Sequence, residues 1–229
     1  MNRGEADRRK ALALYEDGLR AFRAGDRDAS KRLNEDALEL ARASGDLQAE
    51  ALALVGLSRV AFRDGDYGRA RALAAEALEL AKSLDEDAEA SPLHMLAAAT
   101  RLAGEYDEAR LLYRESIELN RRLGASDWAT MELHNLGFVE LHRGEVEEAE
   151  RLFGEAAKLE RDEPYDLAMR DLQRAALSVS HGQAQEGANL LTRVESRLEG
   201  AGIVLDPDDG FEVEWLRGKL GGALRDRGG

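Results

Sequence analysis

The phrase Gly104-Glu105-Tyr106-Asp107-Glu108-Ala109 is the most informative stretch of this sequence, because variants of it recur along the chain. Each variant begins with glycine, continues with an acidic or polar residue and has a small residue in sixth place. The copies begin at Gly25, Gly65, Gly104, Gly144 and Gly182, so successive glycines are 40, 39, 40 and 38 residues apart. Self-similarity at a fixed period predicts a repeat architecture.

Apolar residues on both sides of each glycine fall at helical spacing. After Gly65 they are Ala70, Leu73, Ala74 and Ala77. An i, i+3, i+4, i+7 pattern indicates a helix with one buried face. We therefore expect each repeat to be a helix pair, with the glycine ending the first helix at a positive φ angle. The acidic residue after the glycine is expected to cap the second helix.

Small residues recur seven positions before, five after and twelve after each turn glycine. The three sets are Gly18, Ser58, Ala97, Gly137 and Ala175; Ser30, Ala70, Ala109, Ala149 and Gly187; and Ala37, Ala77, Ser116, Ala156 and the larger Val194. Small side chains allow two helices to pack at a short interaxial distance. This register predicts close packing within each pair.

The register resembles that of the tetratricopeptide repeat (TPR) over residues 10–200. The fourth repeat matches the family pattern at Leu133, Leu136, Gly137, Gly144, Ala149, Phe153 and Ala156. Its period exceeds the usual 34 residues. The long period and Asn135-Leu136-Gly137 resemble kinesin light chains, peptide-sensing Rap regulators and the sensor domains of maltose-activator-like transcription factors.

The resemblance implies an all-α, right-handed superhelix of five helix pairs plus a C-terminal capping helix. We expect a single domain over residues 1–229, with repeats at about 8–45, 46–85, 86–124, 125–162 and 163–200 and the capping helix at 207–229. The tail also matches the first helix of a sixth repeat, so a chain cut before that repeat remains an alternative. Pro92, Pro164 and Pro207 are expected at helix starts. Asp171 stands where other repeats have leucine, as expected for the polar end of a solenoid.

Composition narrows the classes of partner. The 229 residues include 32 basic and 46 acidic side chains, a net charge of -14. That balance argues against direct binding to nucleic acid or to an anionic membrane. The absence of cysteine and of an apolar run of about 20 residues favours a cytoplasmic protein.

No sequence motif indicates catalysis. The chain has no GxSxG, GxGxxG, P-loop or HExxH motif, so we expect no enzyme, no cofactor and no metal. His94 and His134 occupy equivalent repeat positions, ten residues before their turn glycines. They are interpreted either as a ligand-binding or proton-sensing pair or as hydrated groove residues.

In the TPR family the first helix of each repeat lines a concave groove. The resemblance assigns positions about three, six and ten residues before the turn glycine to that groove. They and the adjacent Asn135 give a candidate set of Tyr15, Leu19, Phe22, Val55, Arg59, Phe62, His94, Arg101, His134, Asn135 and Phe138. Aromatic and arginine side chains are frequent interface anchors. Packing between repeats is the alternative, above all for Leu19.

The predicted function is a non-catalytic protein- or peptide-binding scaffold that uses this groove. The alternative is a ligand- or peptide-responsive sensor module of a signalling or transcription system. The expected partner is a protein or peptide, and a homo-oligomer is left open.

Overall fold

The chain is entirely helical where a computed structural model describes it, at residues 3–159 and 163–225. Over those residues it forms eleven α-helices and no strand. The helices are α1 Arg3–Arg23, α2 Arg27–Ser44, α3 Leu47–Arg63, α4 Tyr67–Ala81, α5 Glu86–Leu102, α6 Tyr106–Arg122, α7 Ser126–Arg143, α8 Val146–Ala156, α9 Pro164–Ser180, α10 Ala184–Ala201 and α11 Pro207–Arg225. None of these helices is long and apolar enough to cross a bilayer.

The helices form two compact units, Met1–Glu108 and Ala109–Gly229. In the N-terminal unit α1 pairs with α2 and α3 with α4, and the first helices α1, α3 and α5 contact one another in order. In the C-terminal unit α7 pairs with α8 and α9 with α10, and α7 contacts α9. The last helix, α11, packs against both α9 and α10. Adjacent helix pairs of this kind are the predicted TPR-like solenoid fold.

Glycines end the first helix of every pair, as predicted. Gly25, Gly65, Gly104, Gly144 and Gly182 have φ angles of 78°, 76°, 84°, 82° and 77°. An L side chain would be strained in this left-handed region, which explains why glycine recurs there. Turns between repeats also use positive-φ glycines, at Gly45, Gly124 and Gly202, which the repeated phrase did not reveal.

The acidic residue after the turn glycine caps the second helix at Asp26 and Asp66 but not at Glu145. Asp26 and Asp66 each accept a hydrogen bond of 3.0 Å from a backbone N–H three residues later. Glu145 occupies the same position before α8 and makes no such bond. The capping expectation is therefore wrong for Glu145, whose longer side chain does not suit the short cap geometry.

Every position of the small-residue register is buried. Ser58 Oγ, on α3, donates a hydrogen bond of 2.8 Å to the carbonyl of Ala70 on α4. A bond between these two positions requires the helix backbones to lie close together. The predicted close packing is confirmed for the α3–α4 pair.

Two of the three prolines begin helices as expected, and one does not. Pro164 and Pro207 are the first residues of α9 and α11. Pro92 lies inside α5, which begins at Glu86 after the N-cap Asp85. The expectation for Pro92 is wrong because Asp85 already caps the helix by accepting a hydrogen bond from the N–H of Ala88.

Asp171 is a buried residue, not part of a polar outer face. Arg193, on α10, donates hydrogen bonds of 2.7 and 2.6 Å to both carboxylate oxygens of Asp171. A two-point arginine–carboxylate contact is directional as well as strong. Asp171 therefore joins α9 to α10 where the first four repeats have leucine.

Candidate functional site: the faces of the first helices

Arg59 connects three first helices in the N-terminal unit. Its Nη1 lies 3.4 Å from the hydroxyl of Tyr15 on α1, and its Nη2 donates to Ser91 Oγ on α5 at 2.9 Å. Both Tyr15 and Arg59 remain partly accessible. The structure thus brings two of the candidate residues together and adds Ser91, whose role the sequence did not indicate.

Leu19 and Phe22 extend this surface along α1. With Tyr15 and Arg59 they line one crevice that is too narrow to hold a water molecule. The guanidinium carbon of Arg63 lies 3.7 Å from the ring centre of Phe22, and Arg63 Nη1 donates to the carbonyl of Phe22 at 2.8 Å. Arg63 was missed by the sequence analysis, although it lies one helical turn after Arg59. We call Tyr15, Leu19, Phe22, Arg59 and Arg63 the N-terminal wall.

Three further candidates in this unit are buried, which corrects the expectation that they face solvent. Val55, Phe62 and Arg101 are 1%, 6% and 0% exposed. The ring of Phe62 packs edge-on against Tyr67, with centroids 5.7 Å apart. The first helix of a middle repeat packs against neighbours on several sides, so only a narrow strip of its surface is accessible to solvent. His94 is partly buried.

The candidates on α7 are also buried. His134, Asn135 and Phe138 are exposed by no more than 6%. Phe138 packs edge-on against His134 and against Phe153 of α8, with centroid distances of 5.0 and 5.2 Å. Phe138 is therefore part of the helix-pair core, and the expectation of an exposed anchor is wrong.

The face of α7 is covered by α11. His142 Nε2 lies 2.9 Å from Glu212 Oε2, and His134 Nε2 lies 3.3 Å from Asp209 Oδ1. The indole of Trp215 stands edge-on to the His142 ring, with centroids 4.7 Å apart. Two histidines on α7 thus face two carboxylates on α11.

Neighbouring polar groups orient this contact. Gln173 Nε2 lies 2.9 Å from His134 Nδ1, and the hydroxyl of Tyr165 donates to Asp209. Burial, reinforced by the negative charge of Asp209, raises the pKa of the Tyr165 hydroxyl, which therefore stays protonated as a donor. We call His134, His142, Tyr165, Asp209 and Glu212 the histidine–carboxylate cluster.

The sequence contained only a partial signal for this cluster. His142 lies two helical turns beyond His134 and shares its face. Asp209 and Glu212 directly precede the apolar series Val213, Leu216 and Leu220, all of them buried. No local pattern links α11 to α7. Among the described residues, no group of three or more His, Asp or Glu is arranged to hold a metal ion.

Two tetratricopeptide-repeat family models match this sequence, at residues 50–122 and 133–161. Residues 50–122 and 133–161 are therefore tetratricopeptide repeats. Both matches fall on the helix pairs described above. No curated protein matches the sequence.

Several solved structures have a fold similar to that of this chain. One contains nearly identical TPR-like repeats from Podosopora anserina, named after kinesin light chain: 20% identity, TM-score 0.67, 86% of this chain and 97% of that one. A Rap protein complexed with competence and sporulation factor has 15% identity, a TM-score of 0.68 and coverage of 83% and 54%. The Rap conjugation gene regulator of plasmid pLS20, in complex with the Phr* peptide, has 16%, 0.66 and 82% and 53%. This chain therefore spans about half the length of the Rap structures.

Proposed function

We propose that this TPR protein is a non-catalytic scaffold of the cytoplasm that binds a protein or peptide segment along its first helices. The observation that carries the proposal is the Arg59 contact, which places a cation and a phenol side by side on the N-terminal wall. Aromatic and arginine side chains are the commonest anchors of protein interfaces. The two Rap structures, which are complexes with the Phr* peptide and with competence and sporulation factor, support a peptide as the class of ligand.

The chemistry of the wall indicates what the segment carries. Arg59 donates to two neutral oxygens, Tyr15 Oη and Ser91 Oγ, and forms no ion pair with a carboxylate of the described residues. A ligand carboxylate would form a charge-assisted contact in place of these neutral ones. Phe22 and Leu19, which lie on the same wall, are partly accessible apolar side chains. We infer a segment with an acidic side chain or a free C-terminus beside an apolar residue.

Selection from a displayed peptide library identifies a ligand, and calorimetric titration then tests the wall. We expect Arg59→Ala to weaken binding by about tenfold or more, in keeping with the cost of losing an interface anchor. Arg32→Ala is the matched control, because Arg32 is an exposed arginine on the second helix α2. Loss of binding in Arg32→Ala with normal binding in Arg59→Ala would place the ligand on the other face.

The alternative, a ligand-responsive sensor, is favoured by the packing of α11 against α7. A sensor changes conformation when its ligand binds, whereas a scaffold keeps its shape. Small-angle X-ray scattering with and without the selected peptide separates the two. A changed radius of gyration supports the sensor, and an unchanged one supports the scaffold.

A further inference from the structure

The first half of α11 is held by buried polar contacts, in contrast to its second half. Asp209 and Glu212 are 5% and 0% exposed, although a buried carboxylate is costly unless it is paired. Their pairing groups are the imidazoles of His134 and His142 and the hydroxyl of Tyr165. A helix that only shields a core needs none of these groups. The C-terminal unit thus has a set of donors placed for two carboxylates three residues apart.

The second half of α11 adds an apolar series in the same stripe. Val213, Leu216 and Leu220 are buried in the core cluster of the C-terminal unit. They follow the first acid at positions +4, +7 and +11, which is one face of a helix. The surface formed by α7, α9 and α10 therefore contacts the acids of α11 at positions 0 and +3 and its apolar residues at +4, +7 and +11.

The helix α11 is a weak occupant of this surface by its own composition. It contains four glycines, Gly210, Gly218, Gly221 and Gly222. Glycine is the least favourable helix residue after proline, so α11 has little helical preference apart from its packing. A non-helical connection at 203–206 precedes it, and Val204 there is 92% exposed. These features allow α11 to dissociate from the α7–α9–α10 surface when a helix of higher affinity competes for it.

We propose that the α7–α9–α10 surface is a second binding site, for an acidic amphipathic helix of a partner protein, and that α11 is its internal competitor. The partner helix carries two carboxylates three residues apart, followed by the apolar series of α11. The polar groups of His134, His142 and Tyr165, which face the two carboxylates of α11, determine the class of ligand. The site is separate from the N-terminal wall and does not depend on it.

The probe for this site is a fluorescein-labelled synthetic peptide with the sequence of Pro207–Arg225, titrated into the full chain. In the chain itself α11 competes at an effective concentration on the order of millimolar. The double variant Asp209→Asn, Glu212→Gln weakens this internal competitor. We expect it to bind the peptide at least about tenfold more tightly than the wild type does.

Two matched controls isolate the carboxylates. Glu214→Gln removes an exposed acid of α11 and should leave peptide affinity at the wild-type value. A peptide that carries the Asn and Gln changes should bind the double variant at least about tenfold more weakly than the parent peptide. Equal affinities for the two peptides, or no binding of the parent peptide to a double variant of normal helicity, would overturn the proposal.

A second measurement needs no change to the acids, so a folding defect in the double variant leaves the proposal testable. The chain has no cysteine, so Glu150→Cys on α8 and Lys219→Cys on α11 accept a specific dye pair. Both positions are exposed. We expect excess peptide to lower energy transfer as α11 leaves.

Unchanged energy transfer at saturating peptide would mean that the peptide binds elsewhere, and the proposal would fail. Sedimentation over a range of protein concentrations gives the other decisive outcome. If the wild type forms a dimer that the peptide dissociates, the occupant is α11 of a second copy and a partner helix is the wrong assignment.

Discussion

The ring of Phe153 on α8 lies against the backbone of Gly137 on α7, so closely that a Cβ atom on Gly137 would be 2.2 Å from Phe153 Cε1. The same ring packs edge-on against Phe138. Glycine at 137 is therefore a requirement of the α7–α8 contact, since any side chain must displace an aromatic ring that is itself buried.

Gly137→Ala should destabilise the C-terminal unit by about 1–3 kcal/mol, because the added methyl overpacks this contact. Urea denaturation followed by circular dichroism measures the loss. Gly154→Ala is the matched control, since Gly154 lies in α8 with nothing within 4 Å of its Cβ position. There alanine should stabilise the chain by about 0.5–1 kcal/mol through better helix propensity. Equal effects at both sites would contradict the close contact.

Ala70→Leu should disrupt the second helix pair in the same way. Ala70 is fully buried on α4, where its carbonyl accepts the hydrogen bond from Ser58. The larger side chain must separate α3 from α4, at a cost of roughly 1–3 kcal/mol. Ala72→Leu, on the exposed side of the same helix, should change the free energy of unfolding by less than about 0.5 kcal/mol. A neutral Ala70→Leu variant would show that the pair has room there.

Glu145→Asp should stabilise α8. The N-cap Glu145 makes no side-chain bond to the backbone, whereas Asp66 at the equivalent position accepts one from Arg69 N–H at 3.0 Å. Aspartate is among the best N-cap residues, and a cap bond contributes about 1 kcal/mol. Thermal melting should show a higher midpoint for Glu145→Asp and a lower one for Asp66→Ala. No gain from Glu145→Asp would mean that the turn after Gly144 holds the backbone outside cap geometry.

Tyr165 should make stability fall at high pH. The pKa of its hydroxyl is raised above the ordinary 10.0 by burial and by Asp209. Above pH 10 the unfolded chain releases this proton while the folded chain retains it. The unfolded state then binds fewer protons, so the free energy of unfolding decreases as pH rises.

Tyr165→Phe removes both this pH dependence and the hydrogen bond to Asp209. We expect the variant to be less stable than the wild type by about 1.5–3 kcal/mol at neutral pH, the usual cost of losing a bond to a charged group. The difference in unfolding free energy between the wild type and the variant should narrow above pH 10. Urea denaturation at pH 7 and at about pH 10.5 measures it. A gap that stays constant would show that Tyr165 ionises equally in both states.

The repeat pattern predicted the helix pairs and their close packing, because both depend on local chemistry. A positive φ at Gly65 follows from the residue itself, and a small residue at Ala70 or Gly137 follows from the spacing of two adjacent helices. The predicted helix start at Pro92 was wrong, because α5 begins at an N-cap residue earlier in the chain. Asp85 caps α5, so Pro92 lies within the helix.

The candidate groove was harder to predict, because exposure depends on which elements cover a helix face. Tyr15 and Arg59 contact each other on the N-terminal wall. Phe138 occupies the same repeat position as Arg59, and Phe62 lies three residues after Arg59, yet both phenylalanines are buried. Helical spacing indicates that residues share a face but does not show what lies over it.

The sequence by itself determined the repeat period, the helix pairs, the turn glycines and the resemblance to the TPR family, since each depends on residues within about 40 positions of one another. Only the tertiary structure decided where α11 lies. His142 and Glu212 are 70 residues apart, and no periodicity connects them. Their pairing arises because α11 must bury its apolar stripe on α9 and α10, and that packing carries its two acids onto the histidines of α7.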